Sequence, residues 1–217
     1  MDELILTFHG LGTPPHDVSD SERKVWVPVQ WLEAILGVLP PAGVRIAFDD
    51  GNRSDVDDAL PVLTRSGRSA QFFVLAGEFD KPGRIGPEDV ATLHRAGMRI
   101  GSHGLHHRDW RRISDAELAG ELSESRLALS KIVKLDVVEA ACPFGSYDRR
   151  VIKALHTAGY QRAYTSDGGA TTGGRWLAAR STVTREQPLE HWLALAAAGP
   201  TRPEPTLLLK RCLKRIR

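Results

Sequence analysis

The sequence predicts an α/β fold on a parallel sheet, and two observations predict it. Short apolar runs alternate with helical patterns along most of the 217 residues, and repeated strand–helix units build parallel sheets with right-handed crossovers. Polar clusters then fall at one strand end after another: His9, Asp49-Asp50, residues 103–107, 143–145 and Asp167. In such folds the working groups gather at the carboxyl ends of strands, so this recurrence points to one site. The length suits one domain, 1–217, with a sizeable core. No repeat, low-complexity block or linker interrupts it.

In chain order, Leu4 to Phe8 is the first strand, and a loop with Pro14, Pro15 and His16 follows. Val29, Leu32, Ile35, Leu36 and Leu39 recur at helical spacing. Val44 to Phe48 reads as a buried strand. Asp55 is placed to cap a helix that Gly67 stops. Gln71 to Leu75 is the third strand. Pro87 opens and Gly97 closes the next helix. Met98 to Ser102 is the fourth strand, and Ser114 with Glu117 makes a capping box for a helix reaching Val133. Val137–Ala141 and Tyr160–Thr165 are strands on either side of a helix from Arg149. A short seventh strand falls within Trp176–Val183, and Leu189–Ala198 is helical. A basic amphipathic helix fills the tail, 206–217.

Composition excludes several classes. A net charge of +2 gives no electrostatic case for nucleic acid. No apolar run approaches the roughly 20 residues of a membrane span. The start, Met1-Asp2-Glu3, carries acid where a signal peptide needs base, so the cytoplasm is the expected compartment. Cys142 and Cys212 form no paired framework and read as reduced thiols.

The chemistry centres on Phe48-Asp49-Asp50-Gly51. Adjacent carboxylates at a buried strand end repel unless something positive lies beside them, and a bound cation is the simplest compensator. Asp50 is the expected ligand and Asp49 a base beside it. His103 and His107, four apart, add two imidazoles. One carboxylate with two imidazoles leaves a coordination position open for water, the pattern of a catalytic zinc-type site, where bound water becomes acidic.

Three motifs together carry a family resemblance: Phe48-Asp49-Asp50-Gly51, then Ser102-His103-Gly104-Leu105-His106-His107, then Pro143-Phe144-Gly145-Ser146-Tyr147. With the lead-in Thr7-Phe8-His9-Gly10, the stretch from Ile46 to Thr165 resembles the polysaccharide deacetylase (NodB-homology, carbohydrate esterase 4) family. The resemblance implies an irregular (β/α)7 barrel with parallel strands. It implies metal-dependent removal of acetyl from an N-acetylated amino sugar, with a divalent ion, expected to be zinc. By position, Asp49 is the general base, and Asp50, His103 and His107 are the ligands. Pro143, Phe144 and Gly145 line the acetyl pocket, and the Phe144 backbone N–H faces the developing oxyanion.

The sequence departs from the family's pattern in three places. Gly104 replaces a Ser or Thr. Ala141 stands where the third motif often opens with an Arg that orients the base, which leaves Arg180 and Asp167 as candidates to hold Asp49. The late Leu-x-x-His that supplies the general acid has no match, since Leu189-Glu190-His191 is wrongly spaced. An amide's leaving nitrogen needs a proton; His9 is the preferred donor and His191 the second. Trp26, Trp31, Trp110 and Trp176 are candidate sugar-stacking faces, with Trp110 favoured because it follows the histidine loop. The basic tail suits either a docked surface helix or a membrane-surface foot, the latter fitting a lipid-linked sugar. Against the deacetylase stand two alternatives: a glycan-binding module that keeps the metal without turnover, and a hydrolase of another amide.

Overall fold

The computed structural model describes residues 1–16, 18–201, 203 and 205–216, with the side chains of Lys210, Arg215 and Ile216 outside that description. The strands are β1 (Asp2–Phe8), β2 (Gly10–Leu11), β3 (Trp26–Val27), β4 (Val44–Asp50), β5 (Gln71–Val74), β6 (Arg99–Ser102), β7 (Glu139–Ala141), β8 (Arg162–Thr165), β9 (Thr171–Thr172), β10 (Leu177–Ala179) and β11 (Ser181–Thr182). The α-helices are α1 (Asp20–Val25), α2 (Val29–Val38), α3 (Leu60–Arg65), α4 (Pro87–Arg95), α5 (Asp115–Val133), α6 (Arg149–Thr157), α7 (Leu189–Ala198) and α8 (Pro205–Ile216).

The main sheet runs β10-β8-β7-β6-β5-β4-β1-β11, every neighbour parallel. Its two end strands are consecutive in the chain with only Arg180 between them. One stave, 177–182, therefore pairs with β8 through its first half and with β1 through its second. The sheet closes into a barrel of seven parallel staves, as the resemblance implied. β9 adds one antiparallel contact at the start of β1.

Alternation along each strand divides the interior from the helix-covered wall. On the wall side, Leu4, Leu6, Phe8, Ile46, Phe48 and Phe72 pack beneath the helices, with Leu32, Ile35 and Leu36 of α2 and Trp192 and Ala196 of α7 in the same cluster. Phe8, Phe48 and Phe72 stack in series across three staves, their ring centroids 5.4 and 4.8 Å apart. Each such side chain contributes about 1.5–3 kcal/mol by leaving water.

The interior is different. A small apolar cluster fills its middle: Ile5, Ala47, Phe73, Ala141, Tyr164 and Ala178. Below, at the amino ends of the strands, lies a polar network. Arg45 pairs with Glu3 and donates to Gln71 at 2.8 Å; Gln71 and Tyr164 each donate to Glu139 at 2.6 Å; Arg162 bonds Glu3 and Arg99 bonds Glu139. Above the apolar cluster sit Asp49, His103 and Arg180. The barrel is thus packed by one apolar storey between two polar ones.

Several expectations change in detail. Asp55 does not cap a helix: the cap position is Ser54, whose side chain makes no capping bond, and Asp55, itself buried, opens a π-helical turn, Asp55–Ala59. The reason lies with Ser54, whose hydroxyl instead accepts the Leu11 N–H at 3.1 Å. The loop after β1 contains α1, closed by a Ser19–Glu22 capping box, and a two-stranded pair of β2 with β3. Cys142 and Cys212 are both free, the first buried and the second exposed. Among the described residues no helix is long and apolar enough to cross a membrane.

Candidate active site and metal centre

Asp49 and Asp50 are the last two residues of β4, and alternation sends their side chains in different directions. Asp49 continues the interior face. Asp50 departs from strand geometry, with φ 78°, and Gly51 follows at φ 67°. His103 directly follows β6, and His107 lies four residues on, at φ 51°. Phe144, in the 3₁₀ turn Pro143–Gly145, has φ 57°. Left-handed backbone is strained for residues carrying a Cβ, and such strain collects at functional sites. Of five described non-glycine residues with positive φ, Asp50, His107 and Phe144 stand together here.

The three expected ligands converge. One donor atom each from Asp50, His103 and His107 lies within 4.8 Å of the others. Nε2 of His103 and Nε2 of His107 are each 3.5 Å from Asp50 Oδ1. Tetrahedral ligands at zinc-type bond lengths stand about 3.4 Å apart. His103 Nδ1 is 2.9 Å from the Ala141 carbonyl oxygen. A carbonyl only accepts, so Nδ1 carries the proton and Nε2 presents its lone pair to the cluster. Asp50 Oδ1 is buried with no hydrogen-bond partner among the described residues. An orphaned carboxylate oxygen facing two imidazole nitrogens is a donor set that fits a divalent cation.

Asp49 is held otherwise. The Arg180 guanidinium grips both of its oxygens, Nη1 to Oδ1 at 2.6 Å and Nη2 to Oδ2 at 2.7 Å. Arg180 is 0% exposed and lies over the rings of Phe73 and Tyr164, at 5.0 and 5.8 Å from their centroids. The same Asp49 Oδ2 is 3.9 Å from His103 Nε2 and 4.0 Å from His9 Nε2.

Burial alone would raise the Asp49 carboxyl, but Arg180, His103 and His9 outweigh it and hold the group well below the ordinary carboxylate range. Burial likewise opposes ionisation of Asp50, and the imidazoles of His9, His107 and His103 overcome it. Burial pushes His103 down to about 4, so its ring is neutral at pH 7. Both carboxylates are therefore ionised, and the buried imidazole is unprotonated. One acid in the neighbourhood goes the other way. Burial, with Asp50 nearby, raises Asp55 well above its usual value, and its Oδ1 has no hydrogen-bond partner among the described residues.

The remaining candidates divide. His9, at the tip of β1, reaches the cluster through Nε2. Phe144 is exposed, with its ring 4.4 Å from that of His107. Its N–H donates to no described group, because the turn's own bonds run from Gly145 and Ser146. Asp167 does not hold Asp49: it accepts from Tyr147 Oη at 2.7 Å and Thr165 Oγ1 at 3.0 Å and pairs with Lys214 of α8. His191 is exposed on α7 against Trp192. Trp110 is 0% exposed and belongs to the cluster around Leu118, Tyr147 and Val151. It cannot offer a face to a sugar; closeness in sequence to the histidine loop placed it beneath the loop, where its ring lies 3.3 Å from a Cβ built on Gly104. Trp26 is buried, and Trp176 stacks on His156 at 3.7 Å.

Residues 37–163 match the sequence profile of the family described as polysaccharide deacetylase. The match covers more than half of the chain, which therefore belongs to the polysaccharide deacetylase family. The inferred polysaccharide deacetylase YxkH of Bacillus subtilis (strain 168) is 26% identical over 129 residues, 59% of this chain and 46% of that protein. The chain thus spans less than half the length of this curated relative. Among solved structures, the Streptococcus pyogenes deacetylase PplD in complex with acetate superposes with a TM-score of 0.78 at 18% identity, covering 89% of this chain and 97% of that one. IcaB from Ammonifex degensii gives 0.73 at 20% identity, over 90% and 97% of the two chains. At these identities the likeness speaks for the barrel fold.

The Arg180–Asp49 pair generates a direct prediction. Arg180→Met leaves a buried carboxylate unpaired and should cost about 3–5 kcal/mol in urea unfolding of the metal-free protein. Adding Asp49→Asn to that variant should recover much of the loss, since the stranded charge is gone. Because the Asp49 carboxyl is depressed in the fold, the stabilisation is present above about pH 4 and is lost as pH falls through the folded value. An Arg180→Met protein as stable as the parent at pH 7 would contradict the pairing.

Proposed function

We propose that residues 1–217 act as one metal-dependent hydrolase that removes an N-acetyl group from an amino sugar in a glycan or cell-surface polysaccharide precursor. The observation that carries the reading is the convergence of Asp50, His103 and His107 on one small volume, with ionised Asp49 beside it. Membership of the polysaccharide deacetylase family supports deacetylation of a polysaccharide.

In this reading Asp50, His103 and His107 hold a divalent ion, with zinc the expected one. Bound there, the ion polarises a carbonyl oxygen and makes water more acidic. The chain's own groups do the rest. Asp49 takes a proton from the attacking water, whose oxygen bonds to the acetyl carbon. Arg180 keeps the carboxylate ionised and aimed, while each oxygen retains a second lone pair for a proton. The Phe144 N–H donates to the oxygen on which negative charge develops, a type of contact whose removal typically costs about 2.7–4 kcal/mol of barrier. His9 gives a proton to the amine nitrogen as the C–N bond breaks, releasing acetate and a free amino sugar. His9 Nε2 lies 4.0 Å from Asp49, which favours it over His191 as the donor. Pro143 and Gly145 flank Phe144 where the acetyl methyl would rest.

Acetate release from short N-acetylglucosamine oligomers in the presence of zinc tests this reading. Asp49→Asn should lower kcat by about 10²–10⁴-fold while the protein still takes up metal. His9→Ala should cost more than His191→Ala. Metal uptake with no turnover on any acetylated sugar would favour the glycan-binding module instead.

The substrate we favour is lipid-linked and met at the cytoplasmic face of a membrane. Leu208, Leu209 and Leu213 of α8 are exposed, and α8 carries four basic residues and no acidic one. Arg211 and Lys214 are engaged with the carbonyls of Gly168 and Ala170 and with Asp167, so the contact would run through the leucines. Co-sedimentation with anionic liposomes at low salt is expected, weakened by Leu209→Ser with Leu213→Ser. No binding of the parent protein would remove the membrane contact.

A further inference from the structure

We infer that Asn52 and Arg84 form a positioning bridge that holds the Asp50 ligand and His9 at a fixed spacing. The inference rests on the metal-dependent reading above and adds two residues to it that touch neither substrate nor ion.

The need for such a bridge follows from the strands. Pairing between β1 and β4 runs from Leu4↔Val44 to Phe8↔Phe48 and stops there. His9 and the Asp49-Asp50 tip lie just beyond the last pair, so the ladder does not set their separation. Asp50 also stands in left-handed backbone, φ 78°. An L-residue there is disfavoured and persists only where its surroundings over-determine it.

The segment 83–85, from the loop between β5 and α4, supplies that constraint. It lies along 51–53 as a splint: Arg53 N–H donates to the Gly83 carbonyl at 2.8 Å, Ile85 N–H donates to the Gly51 carbonyl at 3.0 Å, and Asn52 pairs with Arg84 in an antiparallel bridge. From this splint Arg84 Nη1 reaches two acceptors, Asn52 Oδ1 at 2.7 Å and the Asp50 carbonyl at 3.3 Å. A guanidinium only donates, so the Asn52 amide must turn its oxygen toward Arg84. Its Nδ2 then faces the other way and donates to the His9 carbonyl at 3.1 Å. Asn52 is 7% exposed, so few rearrangements are open to it. One guanidinium thus fixes the ligand's peptide directly and the His9 peptide through one amide.

Groups that orient metal ligands typically change affinity about 10–100-fold when removed. Zinc affinity by competition with a chromogenic chelator, read with thermal melting of the metal-free proteins, tests the bridge. Arg84→Met and Asn52→Ala should each weaken zinc about tenfold or more, and the double variant should be no weaker than the worse single one, because both act through one connection. Arg84→Lys, which keeps a donor, should restore most of the affinity. Arg53→Met cuts the ion pairs of the same segment to Asp57 and Asp89 without touching the bridge, and should leave zinc affinity unchanged. With substrate, Asn52→Ala should lower kcat and leave KM near the parent value. If Asn52→Ala does not fold, the Arg84→Met and Arg84→Lys pair decides alone. A parent protein that binds zinc, with Arg84→Met binding equally well, overturns the bridge and leaves the metal reading standing. A parent that takes up no zinc overturns both.

Discussion

Two neighbouring carboxylates are buried at the end of one strand, and the rest of the site follows from how each is compensated. Asp49 receives a fixed cation, Arg180, gripping both oxygens. Among the described residues Asp50 has no such cation; it faces two imidazole nitrogens, and its Oδ1 has no hydrogen-bond partner there. The division is functional. A carboxylate with a permanent guanidinium stays ionised and oriented, whereas one facing two imidazole nitrogens offers a donor set that fits a divalent cation. The backbone turn at Asp50 separates the two side chains, and without it both would compete for the same compensation.

The barrel is built to make that division affordable. The interior carries one apolar storey, and Arg180 lies on its two aromatic rings. The guanidinium is thus desolvated against Phe73 and Tyr164 and has Asp49 as its principal partner, which is the condition under which a buried pair is firmly oriented. Arg180 also sits at the junction of the two strand segments that close the sheet, its N–H donating to Thr165 and its carbonyl accepting from Gly168. Closure of the barrel and orientation of Asp49 therefore meet in one residue.

Much of this was legible in the sequence. The strand–helix alternation pointed to a parallel sheet, the family resemblance carried by the three motifs implied the seven-stave barrel, and Asp50, His103 and His107 could be grouped because strand ends in a parallel sheet share one rim. Arg180 was legible only as one of two candidates. It lies 131 residues from Asp49, and its role depends on a closing strand whose register short apolar runs do not specify; the other candidate, Asp167, is taken up by Tyr147 and Lys214. Trp110 misled because nearness along the chain says nothing of which side of a loop a ring packs on. Asp55 misled because capping preference is local, and Ser54 had a distant acceptor role with Leu11. Short pieces such as α1 were hidden in a proline-containing loop, stabilised by one capping box more than by any periodicity.

The proposed chemistry requires one ion at the rim of the barrel, and crystals grown with zinc and measured at its absorption edge test for it directly. The predicted result is a single anomalous peak within bonding distance of Asp50 Oδ1, His103 Nε2 and His107 Nε2, with the Arg180–Asp49 pair intact beside it. A peak held by other residues, or none at saturating zinc, would contradict it.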